Sequence, residues 1–94
     1  MKSFTYEELR TYVKEQLTSG KNVLKCRPRL PQNNTVMLFI KLDEDIRYKP
    51  HWIGGPKSNN NGYLSFQKGD FLNADLKDVY GLTATTFAKC YVAE

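Results

Sequence analysis

At 94 residues the chain is sized for one domain, residues 1–94, with a modest core. A 40 % hydrophobic, 13 % aromatic composition excludes a disordered chain, and no apolar run approaches membrane-spanning length. The net charge of +4, from 14 basic and 10 acidic residues, admits a phosphate-bearing partner without requiring one.

The opening "MKSFTYEELR" has no apolar core of the kind a secretory signal carries. A cytoplasmic chain is therefore expected, with Cys26 and Cys90 reduced and the "NNT" acceptor at 33–35 unused. In "SFTYEEL", Thr5 is an N-cap with Glu8 at the third helical position, a capping box, and Phe4 and Leu9 stand at the two ends of a hydrophobic staple. Leu9, Val13 and Leu17 recur every four residues, and Ser19-Gly20 stops the run. The spacing predicts a helix over 6–19.

"NVLKC" reads as a short strand and "RPRLPQNN" as a loop, because its prolines cannot donate to a ladder. "TVMLFIKL" is the strongest strand, with Val36, Leu38, Ile40 and Leu42 on one face and Met37 and Phe39 on the other. Both faces of it are expected to be covered. "DED" at 43–45 reads as a solvated turn, "IRYK" as a strand, "GGPKSNNNG" as a turn-rich loop and "YLSFQ" as a strand. "FLNADLKDVYG" fits either a short helix capped by Asp70 or a continuation of the sheet, so 71–80 stays open. "TTFAKCYVA" reads as a closing strand. One helix packed on a mostly antiparallel four- to six-stranded sheet is an α+β fold. Parallel pairing is not expected, for want of helical crossovers.

The chemistry begins with exclusions. One His and two Cys cannot complete a four-ligand zinc site without carboxylates, and no metal is expected. No phosphate-cradling glycine loop, dinucleotide fingerprint, nucleophile elbow or zinc-protease motif occurs. His51 has no supportive spacing to either cysteine. The chain reads as a non-enzyme without a cofactor. Binding is better supported. Lys21, Lys25, Arg27 and Arg29 crowd one segment, and Arg47, Lys49 and Lys57 crowd another. Such cations suit phosphate, and Tyr48 and Trp52 offer flat faces for a base. Trp52, the only tryptophan, stands beside the Gly/Asn loop. It either stacks on a ligand or plugs the edge of the core with its N–H bonded to a carbonyl.

Two resemblances add to this. "LSFQKGDFL" (64–72) resembles the "LSF-x-KGD" stretch of SH3 domains, although their aromatic opening and tryptophan pair are missing. Across the whole chain, the order of motifs resembles the second family of phage anti-Thoeris proteins, which are small nucleotide sponges. "LTSGKNVLK" (17–25) matches that family's "L-x-x-G-K-x-V-x-R", with Lys25 in the arginine place. "MLFIKL" (37–42) stands where the family has an apolar strand, and "GLTATTFAKCYVAE" (81–94) echoes its C-terminal stretch, with Phe87-Ala88 for Leu-Ala and Tyr91 for the final Trp. Pro28 lies near the place of a family Trp, and Thr86 and Cys90 stand at Asp positions.

The resemblance implies an antiparallel α+β homo-oligomer without catalysis. It would act in a bacterial host's cytoplasm and sequester a cyclic nucleotide immune signal. The ligand-binding set expected on this reading is Lys25, Arg27, Arg29, Tyr48, Trp52, Thr85 and Thr86. Two alternatives stay open: a small protein that inhibits a macromolecular partner such as a nuclease complex, and an SH3-like interaction module.

Overall fold

The computed structural model describes residues 1–29, 35–50 and 62–93. Helix α1 spans Tyr6–Ser19, as its caps dictate. The Glu8 N–H donates to Thr5 Oγ1 at 3.1 Å, and the Thr5 N–H donates to Glu8 Oε1 at 2.8 Å. At the other end Gly20 adopts φ +73°, a left-handed turn that suits a residue without Cβ, and its N–H donates to the Gln16 carbonyl. Leu9, Tyr12 and Val13 form the buried stripe of the helix. The Phe4 ring lies 5.3 Å from that of Tyr12, so the residue ahead of the cap packs onto the helix it introduces.

The strands among the described residues are β1 (Lys2–Phe4), β2 (Val23–Pro28), β3 (Met37–Lys41), β4 (Ile46–Tyr48), β5 (Leu64–Phe66), β6 (Phe71–Asn73), β7 (Gly81–Leu82) and β8 (Tyr91–Ala93), with helix α2 (Ala84–Cys90) before the last. They form a five-stranded sheet in the order β7-β6-β3-β2-β8 and a three-stranded sheet in the order β1-β4-β5. The fold is α+β and mostly antiparallel, with the N-terminal helix on the larger sheet.

Strand β3 lies at the centre of the larger sheet, and its alternation separates two cores. Ile40 joins Leu72, Leu9, Val13 and Tyr48 beneath α1. Phe39, one residue earlier, joins Cys26, Phe71 and Phe87 on the opposite face. Both faces of "TVMLFIKL" are thus covered at Phe39 and Ile40, while Val36 and Leu38 remain exposed. The second core is aromatic: Phe71 and Phe87 stack with centroids 3.8 Å apart, and Phe39 meets Phe87 edge-on at 5.2 Å.

Three features depart from the sequence reading, and a fourth decides what it left open. β1 was not expected, and it runs parallel to β4, with α1, β2 and β3 forming the crossover between them. β2 continues through Arg27 to Pro28, which is tolerated because the proline is the strand's last residue, opposite the edge strand β8. Of the closing strand read over 85–93, only Tyr91–Ala93 are strand, and residues 85–90 lie in α2. Thr83 caps it by accepting from the Thr86 N–H, and the Asp70 carboxylate accepts from the Ala84 N–H at 2.9 Å. This tertiary anchor outweighs the strand preference of the threonines. The open stretch 71–80 continues the sheet at Phe71–Asn73 and then turns. The buried Asn73 side chain holds the turn, donating to the Asp78 carbonyl and accepting from the Tyr80 N–H.

Candidate functional site

The predicted site residues that are described lie on different parts of the fold. Lys25 and Arg27 are exposed on alternate positions of β2, whose intervening Cys26 side chain enters the aromatic core under α2. Thr85 and Thr86 are exposed on the first turn of α2, on the other side of that sheet. Thr86 is engaged with the cap, accepting from the Thr83 hydroxyl at 3.0 Å. Arg29 closes the far end of α2: its Nε donates to the Ala88 carbonyl at 2.8 Å and its N–H to the Cys90 carbonyl. A guanidinium there also meets the negative end of the helix.

Tyr48 is a core residue, 2 % exposed. Its ring stacks on Phe66 at 5.9 Å, and its hydroxyl accepts from the Gly81 N–H at 3.1 Å. Burial raises its pKa above the ordinary tyrosine value, with Tyr6 and Asp78 adding to the rise and the Gly81 contact opposing it. No ring face is left for a base. Trp52, His51 and Lys57 lie outside the described residues, as does most of the Gly/Asn loop.

The acidic "DED" is a turn whose carboxylates are all engaged. Asp43 accepts from Asn22 Nδ2 and faces Lys21 at 3.8 Å, Glu44 faces Lys2 at 3.4 Å, and Asp45 accepts from the Lys68 N–H. Among the described residues no group of His, Cys, Asp and Glu is arranged to hold a metal. No helix among them is long and apolar enough to cross a membrane.

One cluster does combine flat and cationic groups, on the outer face of the three-stranded sheet. Tyr63 precedes β5, and the Arg47 guanidinium lies over its ring, 4.4 Å from the centroid; Lys49 Nζ is 5.3 Å from the same point. Strand alternation explains the grouping. Arg47 leaves β4 on the side opposite Ile46 and Tyr48, which face the core, and Lys49, just past the strand's end, reaches the same ring. Ser3, Arg47 and Ser65 form one row across β1, β4 and β5, and Arg47 Nε donates to Ser3 Oγ at 2.7 Å. The guanidinium is therefore oriented by a hydroxyl on one side and a ring on another, a preorganised cation beside an aromatic plane.

The sequence reading placed Arg47 and Lys49 in a basic segment with Trp52 and Tyr48 as the stacking faces, and of these two only Tyr48 is among the described residues. Strand parity is the signal that would have moved the choice. Tyr48 alternates with both cations, whereas Tyr63 enters the facing strand on their side.

No known protein family, curated protein or solved structure matches this chain.

Proposed function

We propose that the chain is a non-catalytic binding protein for a phosphate-bearing nucleotide. The observation that carries this is the Arg47–Tyr63–Lys49 cluster. An aromatic plane offers a base roughly 1–3 kcal/mol of stacking. Cations within reach of the same plane offer charge-assisted hydrogen bonds to phosphate. No catalytic step is part of this reading, since the sequence carries no nucleophile elbow or zinc-protease motif. In its fuller form the proposal follows the anti-Thoeris resemblance: a homo-oligomer that sequesters a cyclic nucleotide signal in a host cytoplasm. Lys25, Arg27, Thr85 and Thr86 would then contact ligand only if a neighbouring subunit or the remaining loops brought them to it.

The test is a thermal-shift and calorimetric screen against cyclic dinucleotides, cyclic trinucleotides and cyclic ADP-ribose isomers. A binder should be held at least about tenfold more weakly by Tyr63→Ala, the loss of one stacked base. Arg47→Ala should weaken it as well, with a smaller effect at high salt. Ligand recovered after heat denaturation should have unchanged mass. Absence of any shift across the screen refutes the nucleotide reading, and a product of altered mass refutes the non-catalytic one. Trp52→Ala belongs in the same series: weaker binding with an unchanged melting temperature assigns it to ligand, and lost stability alone assigns it to the core.

A second reading, binding of a macromolecular partner, is favoured by a different surface, where Val36, Leu38 and Val92 are exposed.

A further inference from the structure

The outer face of the three-stranded sheet carries the row Ser3, Arg47 and Ser65 across β1, β4 and β5. Both serines are exposed, and so is Lys49, which stands beside the row and reaches the Tyr63 ring. Adjacent strands lie about 4.8 Å apart, so the row makes a track roughly 10 Å long across the strands. Along it a cation is flanked on both sides by short hydroxyl side chains.

Lys2 faces Glu44, Lys21 faces Asp43 and Arg10 faces Glu7, but among the described residues no carboxylate pairs with Arg47 or Lys49. Asp45, two positions before Arg47, accepts instead from the Lys68 N–H at 2.9 Å. Arg47 is held in place all the same. Its Nε donates to Ser3 Oγ at 2.7 Å, and its guanidinium carbon lies 4.4 Å from the Tyr63 centroid. With Nε spent on the hydroxyl, the terminal nitrogens are the donors that can meet a phosphate. A cation that the fold orients without a carboxylate suits an anion from outside it.

We propose that this face binds single-stranded nucleic acid, with one base against the Tyr63 ring or the guanidinium plane and backbone phosphates on Arg47 and Lys49. The proposal rests on the nucleotide reading of the same cluster and names the class of ligand. Bases splayed from a single strand stack on aromatic rings and on arginine planes alike. A duplex offers its phosphates but keeps its bases paired and away from Tyr63. A small nucleotide lying on a sheet face keeps much of its surface in water, whereas small-ligand sites enclose theirs. A strand offsets that loss, because each of its nucleotides can take the site in turn and the short Ser3 and Ser65 side chains let the backbone pass on either side of Arg47. An acidic peptide satisfies the cations and leaves the ring unused. The net charge of +4 favours encounter with a polyanion.

The test follows the anisotropy of a fluorescent oligothymidylate of about 12 nucleotides over a range of salt concentrations. A duplex of the same length, a polyglutamate peptide, thymidine monophosphate and a cyclic dinucleotide serve as competitors. The single strand should bind at least about tenfold more tightly than the duplex, the peptide or the monophosphate, the worth of one stacked base. Tyr63→Ala should remove that advantage. Lys49→Ala should lower the slope of log affinity against log salt by about 0.7, one phosphate contact on a single strand, and Lys14→Ala on α1 should leave it unchanged. Lys49 is exposed, so its variant keeps the fold and the slope stays readable even if Tyr63→Ala lowers the melting temperature. Binding of the cyclic dinucleotide without binding of the oligothymidylate overturns the proposal and leaves the nucleotide reading standing; binding of neither overturns both. Equal binding of the duplex or of polyglutamate, or a slope that Lys14→Ala lowers as much as Lys49→Ala, also overturns it.

Discussion

Asp70 joins two turns of this fold through one side chain. It is 5 % exposed, yet both carboxylate oxygens are used: Oδ2 accepts from the Gln67 N–H at 2.9 Å and Oδ1 from the Ala84 N–H at 2.9 Å. The first contact closes the turn in which Gly69 takes φ +95°, between β5 and β6; the second starts α2. The Asp70 backbone adds to this, its carbonyl accepting from the Leu42 N–H. Hydrogen bonds to a charged group contribute about 1.5–3 kcal/mol each. In Asp70→Ala both N–H groups lose a part-buried acceptor, and because Gln67 and Ala84 are exposed residues water replaces it in part. The expected cost is therefore about 2–4 kcal/mol, against a total stability of about 5–14 kcal/mol for a domain of this size. Urea denaturation followed by far-ultraviolet circular dichroism would read it as a lower midpoint at unchanged slope. Asp70→Asn keeps one acceptor oxygen and turns an amide toward the other N–H, so it should fall between wild type and Asp70→Ala. If Asp70→Ala shifts the midpoint no more than an exposed substitution such as Lys77→Ala, the hub assigned to this carboxylate does not exist.

Other perturbations separate the remaining features. Thr5→Ala should cost about 1 kcal/mol by removing the α1 cap, read from the same denaturation curves. Phe87→Ala should cost about 3–5 kcal/mol, since the ring fills the aromatic core on the α2 side of the sheet. Gly81→Ala should destabilise by about 1–3 kcal/mol, because its Cβ would meet the Phe66 ring at 2.4 Å; a neutral result by thermal melt would contradict that close approach. Burial raises the pKa of Tyr48 above its unfolded value, so the protonated phenol is favoured in the fold. Its contribution is complete below the unfolded pKa, about 10, and is lost as pH rises through the folded one. Tyr48→Phe should accordingly flatten the alkaline loss of stability, measured by melts across that range.

How much of this was legible in the sequence differs by element. α1 was legible to the residue, because its determinants are local: Thr5 and Glu8 satisfy each other's amides and Gly20 supplies the left-handed turn. β3 was legible because a run of β-branched and aromatic residues buries both parities. α2 was not, because the group that fixes its start is Asp70, fourteen residues away and in another turn. β1 was not, because three residues of "KSF" carry no pattern of their own and become a strand only against β4. The Arg47–Tyr63–Lys49 cluster was only half legible for a related reason. Composition located the cations at 47 and 49, but which tyrosine shares their face depends on the pairing of β4 with β5. The "LSFQKGDFL" stretch does form strand, turn and strand, and its Asp70 is internal to the fold.

The parallel pairing of β1 with β4 has a kinetic consequence. Ser3 and Arg47, partners in that ladder, are 44 positions apart, and α1, β2 and β3 intervene. The ladder cannot form early, since the entropy of closing so large a loop must be offset by contacts already made. The β2–β3 ladder, β3–β6 and the core under α1 supply those contacts, which makes β1 a late closure of the smaller sheet. A domain built from such distant partners belongs among the slower folders, in the millisecond-to-second range. Mutations in β1 should therefore raise the unfolding rate and leave the folding rate nearly unchanged, as expected of interactions absent from the transition state. The Arg47–Ser3 hydrogen bond lies on this late-closing ladder, so the guanidinium beside Tyr63 reaches its final orientation only when folding is complete.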